Sequence, residues 1–214
     1  LNKFIILLLV FLFSISIAFG EIQLNLPENT RYNLGDKIAP EASLKLDEAR
    51  SGFFKMHIVC STYNLQYYTS PLDVESGFRT QANVPALSLS SPMLGDCALR
   101  ADFDSVNGER IDSAESKPFV VEKQLSVNLS NEPLIKPGQE LAVSGIVTKY
   151  NGDLLEKGSA IITFIGSQYS IDINAGKFEH KIAIPLSKEA GVFPLAIQIS
   201  DKYGNSGEQT FDIE

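Results

Sequence analysis

The feature that most constrains this chain is an alternation of period two, broken at short intervals by glycine. In "GVFPLAIQIS", Phe193, Leu195, Ile197 and Ile199 alternate with Pro194, Ala196, Gln198 and Ser200. Successive strand side chains point to opposite faces, so such a run has one buried face and one wet face. "ELAVSGIVT" puts Leu141, Val143, Gly145 and Val147 on one parity. "GKFEHKIAIP" does the same with Phe178, His180, Ile182 and Ile184, and its other parity holds Lys177, Glu179 and Lys181. Turn signals separate the runs: "KPGQ", "YNGD", "NAGK" and "KYGNSG". No stretch sustains a helical period; "SLKLDEAR" and "PLSKEAG" offer about one turn each. Short strands punctuated in this way predict an all-β, antiparallel sandwich architecture, with a barrel as the alternative that short strands and small modules disfavour.

The pattern also repeats. Gly35 in "NLGDKI" matches Gly138 in "KPGQEL", and Phe78 matches Phe178. Gly95 matches Gly191, and Asp104 matches Asp201, all in the same order. One module used twice explains this ordering. The expected organisation is an N-terminal segment 1–20, a first sandwich 21–122 and a second sandwich 123–214, with no Gly/Ser-rich or Pro-rich linker between the two.

The run "GVFPLAIQISDKYGNSGEQTFDI" resembles the closing hairpin of immunoglobulin-like repeats in bacterial and archaeal surface proteins. "IKPGQELAVSGIVTKYNGDLLEKGSAIITF" is similar to their opening strands. The first half carries "DSVNGER" where that pattern has Gly-Asn, so its match is looser, and the tryptophan of the true immunoglobulin core is absent. The resemblance implies two tandem Ig-like β-sandwiches with an extracellular structural or adhesive role.

Segment 1–20, "LNKFIILLLVFLFSISIAFG", has one positive charge, an apolar run, and Ala18 and Gly20 in an A-x-G pattern. It reads as a secretory signal peptide, or as a membrane anchor if it is not cleaved. The formal net charge of −8 argues against nucleic acid or an anionic membrane surface as partner. Two cysteines behind a signal peptide, Cys60 and Cys97, read as a disulfide, with a pair of buried thiols as the alternative. Each lies on the apolar parity of its run, Phe54, Met56, Ile58 and Cys60 in one and Cys97, Leu99, Ala101 and Phe103 in the other. Gly166 and Phe193 hold the matching places in the second half.

Sites of chemistry are sparse. No nucleophile elbow, zinc-protease motif, phosphate loop or C-x-x-C occurs. His57 and His180 stand without Cys or His neighbours at ligand spacing and read as structural. "DFDSVNGERID" supplies Asp102, Asp104, Asn107, Glu109 and Asp112, oxygens that could suit calcium, but the spacing is not that of an EF-hand. Asp201 and Asn205 read as turn formers. No metal site or cofactor is expected. Asn128-Leu129-Ser130 is a glycosylation sequon. Between the cysteines, "STYNLQYYTSPLDVES" exceeds its counterpart in length and holds Tyr63, Tyr67 and Tyr68. These tyrosines read as a contact surface for a surface protein or glycan; alternatively Tyr63, Leu65 and Tyr67 alternate as one buried face of an extra strand, which leaves Tyr68 exposed. The expected function is a non-catalytic, exported structural or adhesive protein. The alternative is a secreted carbohydrate- or protein-binding module accessory to a larger protein.

Overall fold

In a computed structural model, which describes residues 20–130 and 136–214, the alternating runs are strands and no α-helix occurs among the described residues. The first half contains β1 (Gly20–Asn25), β2 (Arg31–Asn33), β3 (Lys37–Ile38), β4 (Glu41–Leu46), β5 (Arg50–Cys60) and β6 (Tyr63–Val74). It continues with β7 (Arg79–Ala82), β8 (Leu87–Ser88), β9 (Gly95–Ser105), β10 (Arg110–Glu115) and β11 (Phe119–Glu122), with one 3-10 turn at Ser91–Met93. The second half contains β12 (Leu125–Leu129), β13 (Glu140–Lys149), β14 (Lys157–Phe164), β15 (Ser167–Asn174), β16 (Lys177–Ala183), β17 (Phe193–Ser200) and β18 (Ser206–Ile213). The N-terminal segment proposed as signal peptide or anchor lies outside the described residues, apart from Gly20. No described helix is long and apolar enough to cross a membrane.

In the first half, a sheet ordered β1-β4-β7 faces a larger sheet ordered β2-β11-β9-β5-β6, with β10 also on β9 and a small β3-β8 pair beside them. Phe54, Met56 and Ile58 of β5 and Leu99, Ala101 and Phe103 of β9 form the centre of its core with Leu44 and Val121. The parity read from the sequence therefore holds on this face. The opposite face of β9 is buried too, at Asp102 and Asp104, because a layer of charged side chains covers it. Phe78 departs from its match: it is 67% exposed just before β7, whereas Phe178 is buried in β16.

In the second half the strand order is β12-β13-β16-β15-β14-β17-β18. β15 and β16 pair only at Asn174↔Lys177, across the two-residue turn that joins them. The ladder folds over there, so β12-β13-β16 faces β15-β14-β17-β18 around Val143, Val147, Ile162, Phe164, Leu195 and Ile197. The far edges meet as well: a Cβ on Gly207 would stand 2.1 Å from the Leu125 carbonyl oxygen, so only glycine lets β18 pass this close to β12. Each half thus has its own buried apolar cluster, one spanning Ile22 to Val121 and the other Leu125 to Ile213.

The turn at Ala175–Gly176 has φ of 48° and 73°. Two successive positive φ angles match the hairpin turn that favours Asn-Gly, and alanine is strained in its first position. We expect Ala175→Asn, at an exposed site, to raise stability by about 1 kcal/mol. A urea titration reads this as a higher midpoint at unchanged slope.

Candidate functional site

β5 and β9 are adjacent antiparallel strands, and Cys60 lies directly opposite Cys97 with a Cα–Cα separation of 4.0 Å. The two form a disulfide, buried in the core and lying within one sheet. In the second half the corresponding ladder ends at Phe164↔Leu195, and Gly166 sits beyond it in a turn with φ of 77°. The chain there turns where the first half closes its bridge, and buried Phe164 and half-buried Phe193 pack at that end.

The bridge fixes the base of the β5–β6 hairpin, since Cys60 also pairs with Tyr63. β6 is the outer strand of its sheet, so its far edge has no strand partner among the described residues. Tyr63, Tyr67 and Tyr68 are half-buried and pack against the first core. The alternation Tyr63, Leu65, Tyr67 does not persist. Met56 pairs with Tyr68 and His57 with Gln66, which leaves Tyr67 as the extra residue of a bulge. A bulge lets neighbouring side chains reach one face, so Tyr67 and Tyr68 both contact the core. The Tyr67 hydroxyl is buried without a hydrogen-bond partner, and burial pushes its pKa far above the ordinary phenol range. What β6 offers to solvent is Asn64, Leu65, Gln66, Thr69, Pro71 and Asp73, with Leu65 39% exposed. The bulge and Pro71 both blunt the edge against pairing with another strand.

The other face of the sheet carries a charge network. Asp102 of β9 is fully buried. Its Oδ2 lies 3.0 Å from Arg110 Nη2, 3.3 Å from Arg100 Nε and 3.2 Å from His57 Nε2, and its Oδ1 accepts a 2.6 Å hydrogen bond from Ser113 Oγ. Asp104 accepts a 2.6 Å hydrogen bond from Lys55 Nζ and lies 3.5 Å from Arg110 Nε. Burial acts to raise the Asp104 carboxyl, but the Lys55 hydrogen bond and the Lys55 and Arg110 charges outweigh it and hold the group below its ordinary range. His57 is shifted the other way from a partnered histidine. Burial lowers it, the Asp102 charge only partly opposes this, and Arg100, Arg110 and Lys55 lower it further.

The "DFDSVNGERID" oxygens do not converge on one point. Asp102 and Asp104 face cations, Asn107 and Glu109 sit in the exposed β9–β10 turn, and Asp112 Oδ2 accepts from the Ile22 amide of β1 at 2.8 Å. No three His, Cys, Asp or Glu residues gather as a metal-binding group among the described residues. The matched pair Asp104/Asp201 is also displaced by one. Ser105 is the turn residue: its Oγ accepts from the Glu109 amide at 3.1 Å, as Asp201 Oδ1 accepts from the Asn205 amide at 3.0 Å. Asn128 projects from β12 into solvent, and His180 packs at 4.9 Å against the Tyr169 ring. Asn205 does more than shape its turn: it is 1% exposed and hydrogen-bonds into the first half. A buried role for an Asn in "DKYGNSG" has no local signature, because its partners in the first half, Asn33 and Leu34, are about 170 residues away.

His57 gives the network an acid dependence. Its folded pKa lies below 6.5, so the unfolded chain takes up the proton first as pH falls. Stability is complete above pH 6.5 and falls from there down through the folded pKa. The depressed Asp104 adds a second loss, beginning below pH 3.8 and continuing through its own folded pKa. We expect His57→Gln to abolish the first stage and leave the second, as read from urea midpoints across pH.

No known family model and no curated protein matches the sequence.

Proposed function

We propose that the chain is a non-catalytic, extracellular structural or adhesive protein built from two tandem Ig-like sandwiches. The observation that carries this reading is a strand order used twice. β1-β4-β7 opposite β6-β5-β9-β11 corresponds to β12-β13-β16 opposite β15-β14-β17-β18. Loop geometry supports the same correspondence. Gly35 and Gly138 have φ of 85° and 81° in matching turns, with Asp36 N donating to Asn33 O and Gln139 N to Lys136 O. Gly35 N donates to Leu89 O, and Gly138 N to Ile184 O. The buried disulfide agrees with an oxidising compartment and with the export signal read in segment 1–20.

The test is to express the chain with its own N-terminal segment and follow its fate. Export, a mature N-terminus at Glu21, an oxidised Cys60–Cys97 pair and cleavage by protease added to intact cells support the reading. Retention inside the cell with two free thiols rules it out. The alternative, an accessory binding module, draws on the exposed polar stretch of β6 at Asn64, Gln66 and Thr69. Saturable glycan or protein binding that is lost in Asn64→Ala/Gln66→Ala at unchanged melting temperature favours it.

A further inference from the structure

Only Lys123 and Gln124 lie between β11 and β12, a connection that limits swing between the two halves but does not by itself fix their orientation. The contacts across it are far more extensive. Asn33, the last residue of β2, and Asn205, just before β18, are 0% and 1% exposed. Asn205 Nδ2 donates to the Leu34 carbonyl at 2.8 Å and to Asp201 Oδ2 at 2.7 Å. Its Oδ1 accepts from the Leu34 amide at 3.1 Å and from Asn33 Nδ2 at 3.4 Å. Asn33 Nδ2 also donates to the Gln124 carbonyl at 2.9 Å, and Asn33 Oδ1 accepts from the Tyr150 amide at 2.6 Å. Both amides are therefore satisfied as donor and acceptor, one from each half.

A rim surrounds them. Lys149 Nζ meets Asp36 Oδ1 at 2.6 Å, the Arg31 guanidinium lies 4.8 Å from the centre of the Tyr150 ring, and Ser206 N donates to the Lys123 carbonyl at 2.8 Å. Tyr203 lies so close to Gly35 that a Cβ there would stand 2.4 Å from its ring. Two turns of the second half, around Tyr150 and Tyr203, thus close on the single turn Asn33–Asp36. The arrangement occurs once among the described residues. At the corresponding positions of the other half stand Glu109 for Asn205 and Lys136 for Asn33, and neither side chain can both donate and accept as an amide does.

We infer that the Asn33–Asn205 amide pair locks the two halves into one rigid body with a fixed mutual orientation. Burial of matched donors and acceptors fixes geometry, because any misaligned docking leaves a buried polar group without a partner. The inference stands on this contact and not on the functional proposal above.

The test uses the full chain with Asn205→Asp and Asn33→Asp. An aspartate keeps the size of the side chain but cannot donate, and at position 205 it also faces Asp201. Small-angle scattering of the wild type should fit one rigid shape, and trypsin should cut slowly after Lys123. Each variant should broaden the distribution of dimensions and speed that cut about tenfold or more, as loss of a buried charged or hydrogen-bonded partner implies. Ser159→Ala, at the exposed Ser159–Ser200 pair, should change neither. The two aspartates lie in different halves, so a folding defect in one half cannot produce the same result in both. If either loses its β-type circular dichroism, Lys149→Ala at the rim gives the reading at smaller amplitude. Wild-type protein that already scatters as a flexible pair, or variants cut at the wild-type rate, overturns the lock.

Discussion

Asp102→Ala should destabilise the protein by about 3–5 kcal/mol, a large share of the ~5–15 kcal/mol that holds a typical domain folded. The reason is the company the carboxylate keeps. Arg100, Arg110 and His57 all point at Oδ2, and Ser113 donates to Oδ1. Removing the carboxylate leaves Arg100, Arg110 and Lys55 with one remaining counter-ion, Asp104, and leaves the neutral His57 ring and the Ser113 hydroxyl without their acceptor. Asp102→Asn should cost less, since the amide oxygen still accepts from Ser113 while the charge is lost. Urea unfolding at pH 7 checks the order: wild type, then Asn, then Ala, with falling midpoints at similar slopes. An alanine variant within about 1 kcal/mol of wild type would mean that the network is screened by water and contributes little.

Removing the bridge with Cys60→Ala and Cys97→Ala should cost about 4 kcal/mol in the loop-entropy account, given the sequence separation of 37. The effect should be local in character. The bridge ties the last residue of β5 to β9 and sets the start of β6, the outer strand that holds Tyr63, Tyr67 and Tyr68. Hydrogen exchange in β6 should therefore accelerate before exchange in β13 or β17. A reduced or doubly substituted protein with an unchanged urea midpoint would show that packing around Met93, Leu99 and Ile58 holds this end without the covalent link.

The strands were legible because burial on one face of a pleated strand leaves a period of two in the residues themselves. Leu195, Ile197 and Ile199, and Phe54, Met56 and Ile58, are buried as their parity requires. The disulfide was legible for the same reason: both cysteines sit on apolar parity, and the ladder places them face to face. Local order also ran ahead correctly at the turns, where Gly35, Gly138 and Gly204 take the positive φ that only glycine accepts cheaply.

What the chain could not announce locally was decided by contact between distant segments. Asp102 and Asp104 read only as oxygens of an acidic turn, and register with β5 and β10 set them against Lys55, His57 and Arg110. Tyr67 kept parity in the sequence, and a one-residue bulge against β5 undid it. Asn33 and Asn205 are ordinary turn residues when read alone. Their role depends on how the two halves of the chain meet across Lys123 and Gln124. The sequence by itself determined the elements, because the hydrophobic effect and backbone sterics act on neighbours and leave a periodic trace. The tertiary structure alone decided the polar network and the joint, because hydrogen bonds and ion pairs depend on distances of about 3 Å between groups the chain sets far apart.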